Sequence, residues 1–267
     1  MTINEMINPA RDDKPLDTLV TDGGYMGIFR KVAFIGDSLS SGEFESNVGD
    51  ATTYHDLYDY SWGQFIARDA GLAAYNFSRG GMTCKEYLQS FAEENGFWDK
   101  DKACQAYVIA LGFNDMYGLM MEMGSVFTDF NVEKPEESKE TIAGLYARII
   151  AKYKEIQPKA RFFLVSAPIS TNPNDECLPR LNKMLHELAE YFEFTYVVDL
   201  YTYGPHHDEE FRKNFYLYGH LNPMGYIDTA RIVESYIDWI IRHNMDDFKQ
   251  IGLIGTEAYD PKLDEKA

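Results

Sequence analysis

Cysteine is scarce: three residues in a chain of 267, at Cys84, Cys104 and Cys177. They form no C-x-x-C pair, which excludes a zinc knuckle and gives no basis for a disulfide framework, so they read as plain buried thiols. Long apolar runs are missing too, since no stretch approaches the roughly 18 residues a spanning helix needs. Met1 to Asp17 is polar and lacks the apolar centre of a secretory signal, so the expected location is cytoplasmic, with no membrane partner. Basic residues are outnumbered, 25 Lys and Arg against 43 Asp and Glu, for a net charge of −18. A field of that sign repels nucleic acid and anionic surfaces. No local Lys/Arg cluster offers a polyanion a foothold, so a neutral or cationic small substrate fits better. Repeats, low-complexity tracts and Pro/Gly/Ser-rich linkers are also lacking. The expectation is one domain over residues 1–267, with a core at about 29–245 and an extension at each end.

What is present is an alternation. Lys31–Ile35, Ala74–Phe77, Gln105–Leu111, Arg161–Ser166 and Phe194–Leu200 are short, apolar and rich in β-branched or aromatic residues. Between them, Trp62–Ala70, Thr83–Glu94, Lys139–Ile156 and Leu181–Phe192 show apolar spacing near 3.6, and a last helix runs from about Pro223 to His243. Strands apolar on both faces, separated by helices, predict an α/β fold: a mainly parallel sheet between two helical layers. Glu43–Tyr60 and Gly118–Glu137 stand outside the alternation and read as irregular insertions shaping a pocket.

Chemistry collects where strands end. Gly36-Asp37-Ser38-Leu39 follows the first strand, at the edge of an open α/β sheet where ligands bind. Asn76-Phe77-Ser78-Arg79-Gly80-Gly81-Met82-Thr83 follows the second, its paired glycines allowing a tight turn with exposed amides. Gly112-Phe113-Asn114-Asp115 follows the third, and Asn114 brings a side-chain amide. His220 lies just before Asn222 and Pro223, a favoured N-cap and first helical residue, which hold its loop at the start of the last helix. A histidine held this way suits a general base for a serine.

These four segments, in this order, resemble the blocks of the SGNH (GDSL-type) esterase/lipase family over about residues 31–230. The resemblance implies a flavodoxin-like three-layer α/β/α fold with no metal or cofactor. It also implies Ser38 as nucleophile and His220 as base, with an oxyanion hole from the Ser38 and Gly81 amides and the Asn114 side chain. It differs from the G-x-S-x-G elbow, because residue 40 is serine. The implied activity is hydrolysis of a small acyl ester through an acyl-enzyme, with an O-acetylated carbohydrate favoured over a lipid or thioester. A non-catalytic ligand-binding member of the fold is the alternative of a different class.

One position departs from the pattern. The family places an aspartate three residues before the histidine, and here Leu217 stands there. Either a Ser–His dyad works alone or a carboxylate arrives from elsewhere, with Glu209 first and its neighbours Asp208 and Glu210 beside it. Asp37 and Asp115 read as structural, and His206-His207-Asp208 as a solvated loop rather than a metal site. Tyr54 and Tyr58 after the nucleophile, and Met116 and Tyr117 after the Asn114 block, are the expected substrate-binding residues. Trp62 reads as core. The sequence does not speak to oligomeric state.

Overall fold

The computed structural model describes residues 2–7, 12–171 and 175–264. Its strands are Lys31–Gly36 (β1), Glu43–Ser46 (β2), Thr53–Asp56 (β3), Ala73–Ser78 (β4), Ala106–Ala110 (β5), Arg161–Val165 (β6), Thr195–Val198 (β7), Tyr216–Leu217 (β8) and His220–Leu221 (β9). The helices that bear on the site are Ser38–Ser41 (α1), Trp62–Ala70 (α2), Phe113–Tyr117 (α3), Ile142–Ile156 (α4), Cys177–Tyr191 (α5), Glu209–Phe215 (α6) and Pro223–His243 (α7).

Five strands form one sheet in the order β4-β1-β5-β6-β7, every pairing parallel. Alternate residues of each strand go to opposite faces, and the two cores follow that period. Ala33, Ile35, Tyr107, Ile109, Phe162 and Leu164 join one buried cluster with α4 and α5. Val32, Phe34, Ala106, Val108, Phe163 and Val165 join the other with α2 and α7. This is the three-layer α/β/α sandwich that the alternation predicts. Caps set the helix starts: Ser61 accepts from the Gln64 amide, Thr141 from Gly144 and Asn222 from Gly225.

Three features depart from the sequence reading. Glu43–Tyr60 is no irregular insertion, because β2 and β3 pair antiparallel as a hairpin beside the sheet. A second, small hairpin, β8–β9, carries His220, with Leu217 paired directly opposite it. The expected helix over 83–94 is broken into Cys84–Glu86, a π turn at Tyr87–Phe91 and Ala92–Glu94. Cys84 and Cys104 are buried and Cys177 partly so, all three as free thiols. Among the described residues no helix is long and apolar enough to cross a membrane, and no cluster of His, Cys, Asp or Glu is arranged to hold a metal ion.

One buried acid sets a pH dependence of stability. Glu234, on α7, is 0% exposed, and neither carboxylate oxygen has a hydrogen-bond partner among the described residues. Burial, reinforced by Asp69, pushes its carboxyl from 4.5 up to about 8. The folded state then binds a proton that the unfolded chain releases, so this group's contribution falls as pH rises between about 4.5 and about 8. Glu234→Gln should therefore gain on the parent protein across that window, by up to about 1.4 kcal/mol per pH unit. Urea midpoints measured from acid to mildly alkaline pH check this, and parallel curves would refute it.

Candidate active site

The turn that presents Ser38 is set by sterics and one carboxylate. A Cβ at Gly36 would collide with Ser40 Oγ, so only glycine lets the end of β1 fold against α1. Asp37 caps α1, accepting the Leu39 amide at 3.2 Å, while its carbonyl accepts the Ser40 and Ser41 amides. Burial pushes the Asp37 carboxyl up to about 7, opposed by the Leu39 hydrogen bond. Ser41 Oγ in turn donates to Asp56 on β3, which ties α1 to the first hairpin.

The two donor loops are pinned together. Asp115, fully buried, accepts the Cys84 amide at 2.9 Å and the Lys85 amide at 3.4 Å, joining α3 to the segment after the glycine pair. It is structural, as the sequence indicates. Asn114 Nδ2 donates to Met82 O at 3.2 Å and lies 3.5 Å from Asp37 Oδ2, which ties the side-chain amide to both neighbouring blocks. Gly81 has φ +71°, a conformation that glycine adopts without strain.

His220 is bracketed by two glutamates from β2. Its Nε2 is 3.0 Å from Glu43 Oε1, and its Nδ1 is 3.6 Å from Glu45 Oε2. Glu45 also accepts the Gly219 amide at 2.8 Å, and the Tyr226 hydroxyl of α7 donates to Glu43 O at 2.7 Å. Burial raises the Glu43 carboxyl above its ordinary value, partly offset by His220. The Tyr54 ring stands edge-on to the imidazole, with centroids 5.8 Å apart.

This corrects the expected third member. Glu209 is exposed in the first turn of α6 and Asp208 caps that helix through the Phe211 amide; among the described residues, neither they nor Glu210 bonds to His220. The acids at the imidazole are Glu43 and Glu45, which sequence reasoning missed. Their signal is the alternation Glu-Phe-Glu-Ser, which puts two carboxylates on one face of a strand.

Ser38, Asn114 and His220 open onto one cavity of about 390 Å³, at the carboxyl ends of β1, β5, β6 and β7. Ser40 also lines it, its buried hydroxyl without a hydrogen-bond partner among the described residues. Apolar walls come from Val165, Leu178, Leu181, Leu200, Ile232 and Val233. Among the described residues, Ser38 and His220 share no hydrogen bond, since Glu43 holds Nε2. Trp62, 3% exposed, reaches the cavity from the core. The expected substrate residues fare unevenly. Tyr54 stands beside His220, but neither it nor Tyr58 lines the cavity. Met116 lines a separate cavity with other methionines, and the Tyr117 hydroxyl donates to Asp175. Phe113 lines the main cavity instead. His207 is no solvated residue: half-buried, it lines the cavity, bonds the Tyr216 hydroxyl at 2.9 Å and stacks on Phe211.

The profile of the family described as GDSL-like Lipase/Acylhydrolase matches residues 32–231, and the chain belongs to that family of ester-hydrolysing enzymes. Among curated proteins none matches. Solved structures share the fold at low identity. A family two carbohydrate esterase from Clostridium thermocellum, in complex with cellohexaose, is 17% identical with a TM-score of 0.53, over 88% of this chain and 66% of that one. A family two carbohydrate esterase from Cellvibrio japonicus is 16% identical with a TM-score of 0.55, over 79% of this chain and 62% of its own. TesA is 16% identical with a TM-score of 0.50, over 78% of this chain and 98% of its own. This chain thus spans about two thirds of the length of those two family two esterases.

Proposed function

We propose that the protein is a serine ester hydrolase whose substrate's acyl arm enters the cavity beneath Ser38. The observation that carries this is the convergence of Ser38, Asn114 and a carboxylate-bracketed His220 on one largely apolar cavity. Ser38 Oγ attacks the ester carbonyl, and His220 Nε2 takes its proton after exchanging Glu43 for the hydroxyl. Glu45, anchored by the Gly219 amide, backs Nδ1 and stabilises the imidazolium. The Ser38 and Gly81 amides and Asn114 Nδ2 meet the developing oxyanion, each such donor typically worth about 3–4 kcal/mol. The alcohol departs with the proton, and water then releases the acid by the same route in reverse.

Cavity size bears on the acyl group. A two-carbon acyl group would leave most of about 390 Å³ of apolar-walled space unfilled, which favours a longer arm. With p-nitrophenyl esters from acetate to decanoate, kcat/KM should rise at least tenfold beyond acetate before falling. A flat series, or acetate as the best substrate, would defeat the longer-arm reading. A second reading, deacetylation of a carbohydrate, draws on Tyr54, which is 58% exposed beside His220 where a sugar leaving group would lie. The sugar-bound fold relative is in keeping with it. Acetylated xylo-oligosaccharides, assayed beside the alkanoate series, separate the two.

A further inference from the structure

We propose that the acyl arm taken by this cavity ends in a carboxylate, and that Arg212 is the residue that selects it. The substrate class is then an ester or thioester of a dicarboxylic acid, hydrolysed to the free diacid and the alcohol or thiol. This rests on the serine-esterase reading and adds a specificity to it.

Besides its apolar walls the cavity carries two groups of polar residues. One is Ser38, Asn114 and His220, the groups assigned to the ester. The other is His207 and Arg212, from the segment between β7 and the β8–β9 hairpin, with Ser170 from the loop after β6. Arg212 is the one Lys or Arg among the described residues that line the cavity. A substrate with a reacting carbonyl and a second, anionic group matches that lining.

Arg212 is placed to serve a ligand rather than the fold. Its guanidinium lies 4.2 Å over the Tyr216 ring, and no carboxylate among the described residues forms an ion pair with it. Arg79, Lys85, Lys139 and Arg242 are paired with acids, whereas Arg212 borders the active-site cavity with none among the described residues. The nearest acid on its own helix, Asp208, is committed to the Phe211 amide. Glu209 and Glu210 are exposed, and Glu43 and Glu45 stand at His220, the reacting end. His207 is neutral, because burial and Arg212 itself push it down to about 4. A planar guanidinium braced on an aromatic face takes a carboxylate through two parallel hydrogen bonds. The lining around Arg212 is also firmly built: the His207 amide donates to Ile169 O at 2.8 Å and its ring stacks 4.0 Å from Phe211.

The test compares p-nitrophenyl hemiesters of succinic, glutaric, adipic and suberic acids with alkanoates of the same chain length. At least one hemiester should exceed its matched alkanoate about tenfold or more in kcat/KM, through KM. Arg212→Gln should collapse that ratio toward one, and Arg212→Lys should restore part of it. Ser38→Ala, which cannot turn over, should bind monomethyl adipate or glutarate in calorimetry, and adding Arg212→Gln should abolish the heat. Good alkanoate turnover with no hemiester preference, or a ratio indifferent to Arg212→Gln, overturns the proposal and leaves the esterase reading standing. No turnover of either series and no fluorophosphonate labelling at Ser38 would overturn the esterase reading, and this specificity with it.

Discussion

Ser38→Ala is expected to lower kcat for any ester substrate by about 10⁶-fold, the scale seen when the nucleophile of a serine hydrolase is removed. The change is confined to one oxygen. Asp37 would still cap α1 and the Gly36 turn would keep its shape, so folding is not at stake. The proposed oxyanion donors would remain and leave a residual about 10³–10⁴-fold above water. The parent protein should react irreversibly with a fluorophosphonate, the label mapping to Ser38 by peptide mass spectrometry. Label on another serine, or full turnover by the alanine variant, would end the assignment.

Replacing Glu43 and Glu45 together by glutamine should cost about 10³–10⁴-fold in kcat, the order seen when the triad carboxylate is removed elsewhere. Glutamine keeps the shape and removes the charge, so the imidazolium formed when Ser38 gives up its proton would stand unsupported. The pair is replaced together because the two oxygens lie within 3.6 Å of opposite ring nitrogens, and either alone could partly cover for the other. Glu209→Ala should leave kcat within about twofold, since Glu209 is exposed in the first turn of α6. The pH profile carries a further mark. Burial raises the Glu43 carboxyl above its ordinary value, so the acid limb of kcat should lie above the normal glutamate range and change in the Glu43→Gln variant. Loss of activity in Glu209→Ala with the Glu43/Glu45 pair inert would reinstate the loop before β8 as the source of the acid.

Residues 31–230 made the architecture readable because parallel interior strands must be apolar on both faces, and the helices covering them must repeat near 3.6. Trp62–Ala70 and Pro223–His243 match their predicted spans for that reason. The blocks holding Ser38, Gly81, Asn114 and His220 were equally legible, since each needs a local feature: a glycine at a turn, an amide beside it, or an N-cap that fixes a loop. Such features are written within a few neighbouring residues.

The partners of His220 were not written locally. Glu43 and Glu45 lie about 175 positions earlier, and only the pairing of β2 with β3, held against β9 and α7, carries them to the ring. The cavity has the same origin: its walls come from four strand ends, the β8–β9 hairpin and helices that include α2, α5 and α7, and Arg212 gains meaning only from bordering the same cavity as Ser38. Sequence alone therefore determined the layers, the strand ends and the family to which the motif blocks point, because local sterics and hydrophobic period act over a few residues. Tertiary structure alone decided which carboxylates face the imidazole and where the cation stands in the cavity, because electrostatic contacts depend on distance in space and chain order does not encode it.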